Sequence, residues 1–199
     1  MIISRIKFIL ILTLAAFFTL YRCGSPLTYD EIKEIELSKS DRFDSLIFEI
    51  SFEMSYEQFF FYCWKMNDMG VFFPNAQGSK VVTTVYDGYH SPVELSFFPK
   101  IEATPETPIS ELKCVLRYKN FSYYDRKYSI ESIVKETIKI MENGYGGRKF
   151  ISVPNGEGIV KNHFVKIDGN REIKIIPRAT GDAIDLIFRD LKSIENSLR

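Results

Sequence analysis

The feature that most constrains the fold is an ordered set of marks that occurs twice along the 199-residue chain. The first set opens at Ser55-Tyr56-Glu57-Gln58, where Ser55 suits a helix N-cap with Gln58 reaching back to it, and the helix stops near Gly70. The second opens at Ser129-Ile130-Glu131, runs through Ile133, Val134, Ile138 and Met141, and stops near Gly144. Each helix is followed by Pro-Asn-x-x-Gly, at Pro74 to Gly78 and at Pro154 to Gly158, then by a strand, an Asp-Gly turn (Asp87-Gly88, Asp168-Gly169) and a second strand starting at Glu94 or Glu172. A third strand closes each unit, over Glu111 to Tyr118 and over Ala183 to Arg189, both alternating with period two. Corresponding marks lie 74 (Ser55, Ser129), 80 (Asn75, Asn155), 81 (Asp87, Asp168) and 78 (Glu94, Glu172) positions apart, a drift that small insertions explain. The order predicts tandem αβββ repeats, one over residues 55–121 and one over 129–190.

An extra strand is expected over Ser45 to Phe52, with Leu46, Phe48, Ile50 and Phe52 on one face. The last strand, which a helical pattern over the same residues rivals, is assigned through Asp190 because Ile184, Leu186 and Phe188 alternate; only a short helical tail follows. The expected architecture is an α+β domain over residues 43–199, with a mostly antiparallel sheet of about seven strands and two helices on one face. That topology resembles the TATA-box-binding-protein-like and helix-grip folds, a likeness of fold that carries no function.

Residues 1–22 precede that body as an export signal: Arg5 and Lys7 stand before an uncharged stretch from Phe8 to Tyr21, with no acid among them. Those fourteen residues form a helix of about 21 Å, short of a hydrocarbon core of about 30 Å. Leu20-Tyr21-Arg22-Cys23-Gly24-Ser25 resembles the lipobox of bacterial lipoproteins, with Leu three residues before the Cys; Arg22 stands where that family has a small residue. The resemblance implies lipid attachment at Cys23 and a membrane-anchored envelope protein on the periplasmic or surface side, with residues 23–42 as a polar tether. A short uncleaved anchor is the alternative. The Gly169-Asn170-Arg171-Glu172-Ile173 pattern near the C-terminus also resembles uncharacterised small bacterial lipoproteins.

Charge excludes one class of partner. The chain balances 26 Lys+Arg against 26 Asp+Glu, and without residues 1–22 it has three fewer cations, so a general nucleic-acid binder is not expected. No nucleophile elbow, zinc-helix motif, phosphate loop or paired Cys-x-x-Cys is present, so no catalytic residue, metal or cofactor is assigned. His90 and His163 fall in corresponding neighbourhoods of the two units, where they would share a metal with Asp87 and Asp168 only if the fold brought them together. Gly144-Tyr145-Gly146-Gly147 follows a helix, the wrong polarity for a phosphate cradle, and is expected to end that helix. Cys63 and Cys114 both point toward the core, as free thiols or as a helix-to-sheet disulfide.

Two surface features remain. The junction between the units carries Tyr118, Phe121, Tyr123, Tyr124 and Tyr128 among Lys119, Arg126 and Lys127, which forms either a patch for an envelope protein or glycan or the packing of the connection. The Pro-rich loop from Lys100 to Pro108 is an insertion in the first unit only, a place where function can be grafted. Three functions are compatible with these residues: a noncatalytic binding or scaffold module, an inhibitor or immunity-type protein, and a hydrolase using Asp87 or Asp168.

Overall fold

The computed structural model describes residues 27–76, 78, 80–85, 87–100, 104–122, 124–154 and 162–197. The expected signal peptide, Cys23, Tyr123 and the Asn155 to Gly158 turn lie outside the described residues. The chain is α+β, with one antiparallel sheet of eight strands and four α-helices among the described residues.

The first half supplies α1 (Tyr29–Leu37), α2 (Tyr56–Asp68) and four strands: β1 (Phe73–Pro74), β2 (Val81–Val85), β3 (Val93–Pro99) and β4 (Glu111–Tyr118). The second supplies α3 (Ile130–Tyr145), β5 (Ile151–Pro154), β6 (Asn162–Asp168), β7 (Arg171–Pro177), β8 (Ile184–Asp190) and the short α4 (Leu191–Ser197). The sheet order β1-β2-β3-β4-β8-β7-β6-β5 puts the last strand of each half side by side at the centre, with Cys114 opposite Leu186. The short edge strands escaped the sequence pattern because β1 has two residues and the four of β5 alternate over too short a run to stand out.

Strand alternation sorts the two faces. Leu95, Phe97, Leu112, Cys114, Leu116, Ile173, Ile175, Leu186 and Phe188 form the main core with Phe59 and Cys63 of α2 and Ile133, Val134 and Met141 of α3. Both caps behave as the sequence requires: Ser55 Oγ accepts from Gln58 N at 3.2 Å while Gln58 Oε1 accepts from Ser55 N at 2.8 Å, and Ser129 accepts from Ser132 N. Gly146 ends α3 at φ 59°, a backbone conformation that glycine adopts without strain.

Two expectations are corrected. Residues 45–52 are not a strand: Leu46 N donates to Ile50 O, and the chain reverses at Phe48 (φ 52°) and Glu49 (φ 62°), with only a bridge between Ser45 and Ser51. Leu46, Ile50 and Phe52 still reach the core, so burial alternates in the loop as it would along a strand. The left-handed backbone at Phe48 costs about 1–2 kcal/mol; Tyr62, which donates to Phe48 O, and the Phe48 ring packed on Phe72 and Phe97 hold it in place.

Nor are residues 27–42 a polar tether. Thr28 and Glu31 form a reciprocal capping box that starts α1, and Ile32 packs against Val165, Ile167 and Leu191. Val165 and Ile167 alternate with the core-facing Phe164, so α1 covers the face of the sheet opposite α2 and α3.

Candidate functional site

The charged residues of the second Asp-Gly turn form a buried cluster. The turn itself is Gly169-Asn170, with Asp168 and Arg171 paired as the flanking strand residues. Gly169 has φ +54°, and a Cβ there would lie 2.7 Å from Asp41 O, so glycine is needed on both counts. Lys166, fully buried, donates to Arg148 O at 2.7 Å and pairs with Asp168, which also accepts from Arg148 N at 3.1 Å. The buried Arg171 guanidinium stacks 4.3 Å from the Tyr145 ring centre and donates to Ser45 O at 2.9 Å. Burial lowers its pKa, and nearby Tyr145, Asp168 and Asp44 act against that shift.

The segment from α1 to Ser45 closes over this turn. Glu36 Oε2 accepts from Gly169 N at 3.1 Å, and its Oε1 takes Lys39 Nζ at 2.7 Å and Arg148 Nε at 2.5 Å. Burial alone would raise the Glu36 pKa; the bonds from Lys39, Arg148 and the Gly169 amide outweigh it and bring the carboxyl down to about 2. Phe43 N donates to Asn170 Oδ1 at 2.6 Å and Arg42 pairs with Asp190 at 3.0 Å. A cavity of about 390 Å³ beside Glu36, Lys39, Phe43, Tyr145 and Asp168 remains. Its acids and bases pair with one another, although Arg171 Nε and Asn170 Nδ2 are buried without a hydrogen-bond partner among the described residues, so the cluster acts as a clamp on the N-terminal segment rather than as an acid–base site.

The first Asp-Gly pair does different work. Asp87 and Gly88 lie in the longer loop between β2 and β3, which delivers Tyr89 and His90 to α3. His90 Nδ1 contacts Glu136 Oε1 at 2.7 Å, Tyr118 donates to Glu136 Oε2 at 2.8 Å, and the rings of His90, Tyr118 and Tyr128 pack against one another in a triangle. Burial, with the Glu136 carboxylate, raises the Tyr118 pKa. His163 sits on β6 opposite Val153, on the other face of the sheet, where burial and then Lys174 lower its pKa. The two histidines are therefore not brought together, and among the described residues no group of three or more His, Cys, Asp or Glu side chains is placed to hold a metal.

The junction patch divides in the same way. Tyr118 is buried at the end of β4, and Phe121 and Tyr128 are half-buried against the core; Tyr124 is 99% exposed and Arg126 is exposed. Most of those rings thus pack the connection, which corrects the surface-patch expectation for Tyr118. The Pro-rich insertion serves α2: Thr107 O and Pro105 O accept from Tyr56 N and Glu57 N, two amides of its first turn. Cys63 and Cys114 are free and buried, so the disulfide alternative is not formed; burial pushes the Cys63 thiol up to about 12 and raises Cys114 as well.

An unpaired aromatic surface lies on α2. Phe59 and Cys63 use the inner face of the helix, while Phe61 and Trp64 are each 67% exposed and Phe60 is 47% exposed. Phe60 and Trp64 form one wall of a groove of about 250 Å³, with Phe73 and Pro74 of the edge strand β1 opposite; Phe61 stacks beside Trp64 at 6.2 Å. Met69 and Val71 are also exposed in the segment that joins α2 to β1, as is Phe73 of β1 itself. These residues were missed as a site. The signal was present in Tyr56-Glu57-Gln58-Phe59-Phe60-Phe61-Tyr62-Cys63-Trp64, where four consecutive aromatics wrap more of a helix than one buried stripe can use.

A second groove, about 730 Å³, runs between Val134 and Ile138 of α3 and Phe164 and Pro177 of the sheet, with Lys135 and Arg178 at its rim. Among the described residues no helix is long and apolar enough to cross a membrane. No family model, curated protein or solved structure matches the chain.

Proposed function

We propose that the chain is an exported bacterial envelope protein, anchored to a membrane through Cys23, whose body is a noncatalytic binding module. The anchored half of this reading is supported by the basic, acid-free start of residues 1–22 and the Leu20 to Cys23 pattern. The binding half is carried by the aromatic face of α2 and β1. Phe60, Phe61, Trp64 and Phe73 leave roughly 500 Å² of apolar side chain in water, toward the top of the range for a monomer's largest patch. Such a surface lowers its free energy when covered.

An inhibitor or immunity-type role would use the same surface. A hydrolase built on Asp168 finds less support, because that carboxylate is held by Lys166 and the Arg148 amide. The parallel order of the two halves, each a helix followed by four strands meeting at β4 and β8, supports a duplicated unit as their origin.

Fractionation of a bacterial host expressing the full chain tests the anchor. Wild type is expected with the membranes and Cys23→Ala in a different fraction or unprocessed. Identical behaviour of the two proteins would remove Cys23 from the account.

A further inference from the structure

Resting on the anchored reading above, we propose that the aromatic face of α2 and β1 docks on the lipid bilayer itself, with Phe60, Phe61, Trp64 and Phe73 dipping into the boundary between headgroups and acyl chains. The first argument is the length of chain between anchor and body. Cys23 precedes Thr28, the N-cap of α1, by five residues, which span at most about 17 Å however they are arranged. Beyond Thr28 no slack remains, because α1 is fixed to the sheet by Ile32 and clamped to the β6–β7 turn by Glu36. An anchored body is therefore held against the membrane rather than suspended above it.

The second argument is where the apolar surface lies. α1 covers β6, next to one edge of the sheet, and β1 is the opposite edge. Strands about 4.8 Å apart put those positions on the order of 30 Å from each other. One anchor point leaves a body free to rotate; a second contact at the far edge, on the opposite face from α1, holds the sheet upright on the membrane rather than flat over it.

The third argument is chemical. Trp and Phe at the surface, with their polar neighbours at the margin, suit the interfacial layer of a bilayer. Lys80 is the one charged side chain among the described residues lining the groove, and Lys65 follows Trp64. Neither is ion-paired among the described residues, and their long stems can keep the ammonium among headgroups while the rings insert. The helix cannot lie fully in the bilayer, since Phe59 and Cys63 are committed to the core; only its outer side chains enter.

Trp64 is the only tryptophan in the chain, so it reports this contact alone. The full chain is reconstituted into phosphatidylethanolamine and phosphatidylglycerol vesicles, with and without brominated acyl chains, and recovered by flotation. Docking predicts blue-shifted Trp64 emission that brominated lipid quenches. Phe61→Glu, at an exposed position that leaves the core intact, is expected to lower the ratio of docked to undocked protein by about tenfold or more and to relieve most of the quenching. A chain that floats with the vesicles while Trp64 ignores brominated lipid overturns the proposal, whether Trp64 is then bare or shielded by a protein partner or a second copy. A chain that does not float overturns the anchored reading instead, so the two failures are distinct.

Discussion

Replacing Glu36 with Gln tests whether the N-terminal segment belongs to the folded body. The Glu36 carboxyl drops from an ordinary 4.5 to about 2 in the fold, because it accepts from Lys39, Arg148 and the Gly169 amide. A difference of about 2.5 pKa units corresponds to about 3 kcal/mol of stability. Since the folded pKa lies below the unfolded one, that stability is fully present above about pH 4.5 and is lost as pH falls toward 2. Glu36→Gln keeps the shape and one acceptor but not the charge. Urea denaturation followed by far-UV circular dichroism should show the variant about 2–3 kcal/mol less stable than wild type at pH 7, the gap narrowing below about pH 4.5 and closing as pH falls through about 2, below which both side chains are neutral. A gap under about 1 kcal/mol that does not change with pH would refute the clamp and return residues 27–42 to the status of a tether.

Other substitutions probe the remaining parts. Asp168→Asn leaves Lys166 and Arg171 buried without their shared partner and is expected to cost about 3–5 kcal/mol, most of it recovered when Lys166→Met is added; additive losses would contradict the pairing. Phe59→Ala should cost about 3–5 kcal/mol and Phe61→Ala less than about 1 kcal/mol in the same denaturation assay, because the two neighbouring rings face core and water; equal costs would misplace the helix face. Cys63 and Cys114, buried and with raised pKa values, should react with a thiol reagent only on unfolding, and fast labelling of the native chain would show that α2 opens.

Where local chemistry and tertiary context agree, the fold was legible in the residues. Ser55 with Gln58 and Ser129 start helices as their capping patterns require, and Ile184, Leu186 and Phe188 form a strand with only a short helix after it. The stretch from Leu46 to Phe52 misleads because period-two burial also arises in a loop that reverses at two positive-φ residues, which Phe48 and Glu49 give no sign of adopting. Thr28-x-x-Glu31 is a capping box as plain as the one at Ser55, but a polar stretch ahead of a folded domain is easily taken for a linker when the partners of its buried Glu36 lie 112 and 133 residues away. The aromatic face was the least legible part. Aromatic residues usually go to the core, and only the packing of α2 shows which of Phe59 to Trp64 the core leaves outside.

The anchor is the premise on which both the proposed function and the membrane contact stand, and the intact mass of the full chain purified from a bacterial envelope tests it most directly. The account predicts a chain that begins at Cys23, lacks residues 1–22 and carries added acyl mass on that residue. A chain that retains Met1 at its unmodified mass would contradict it.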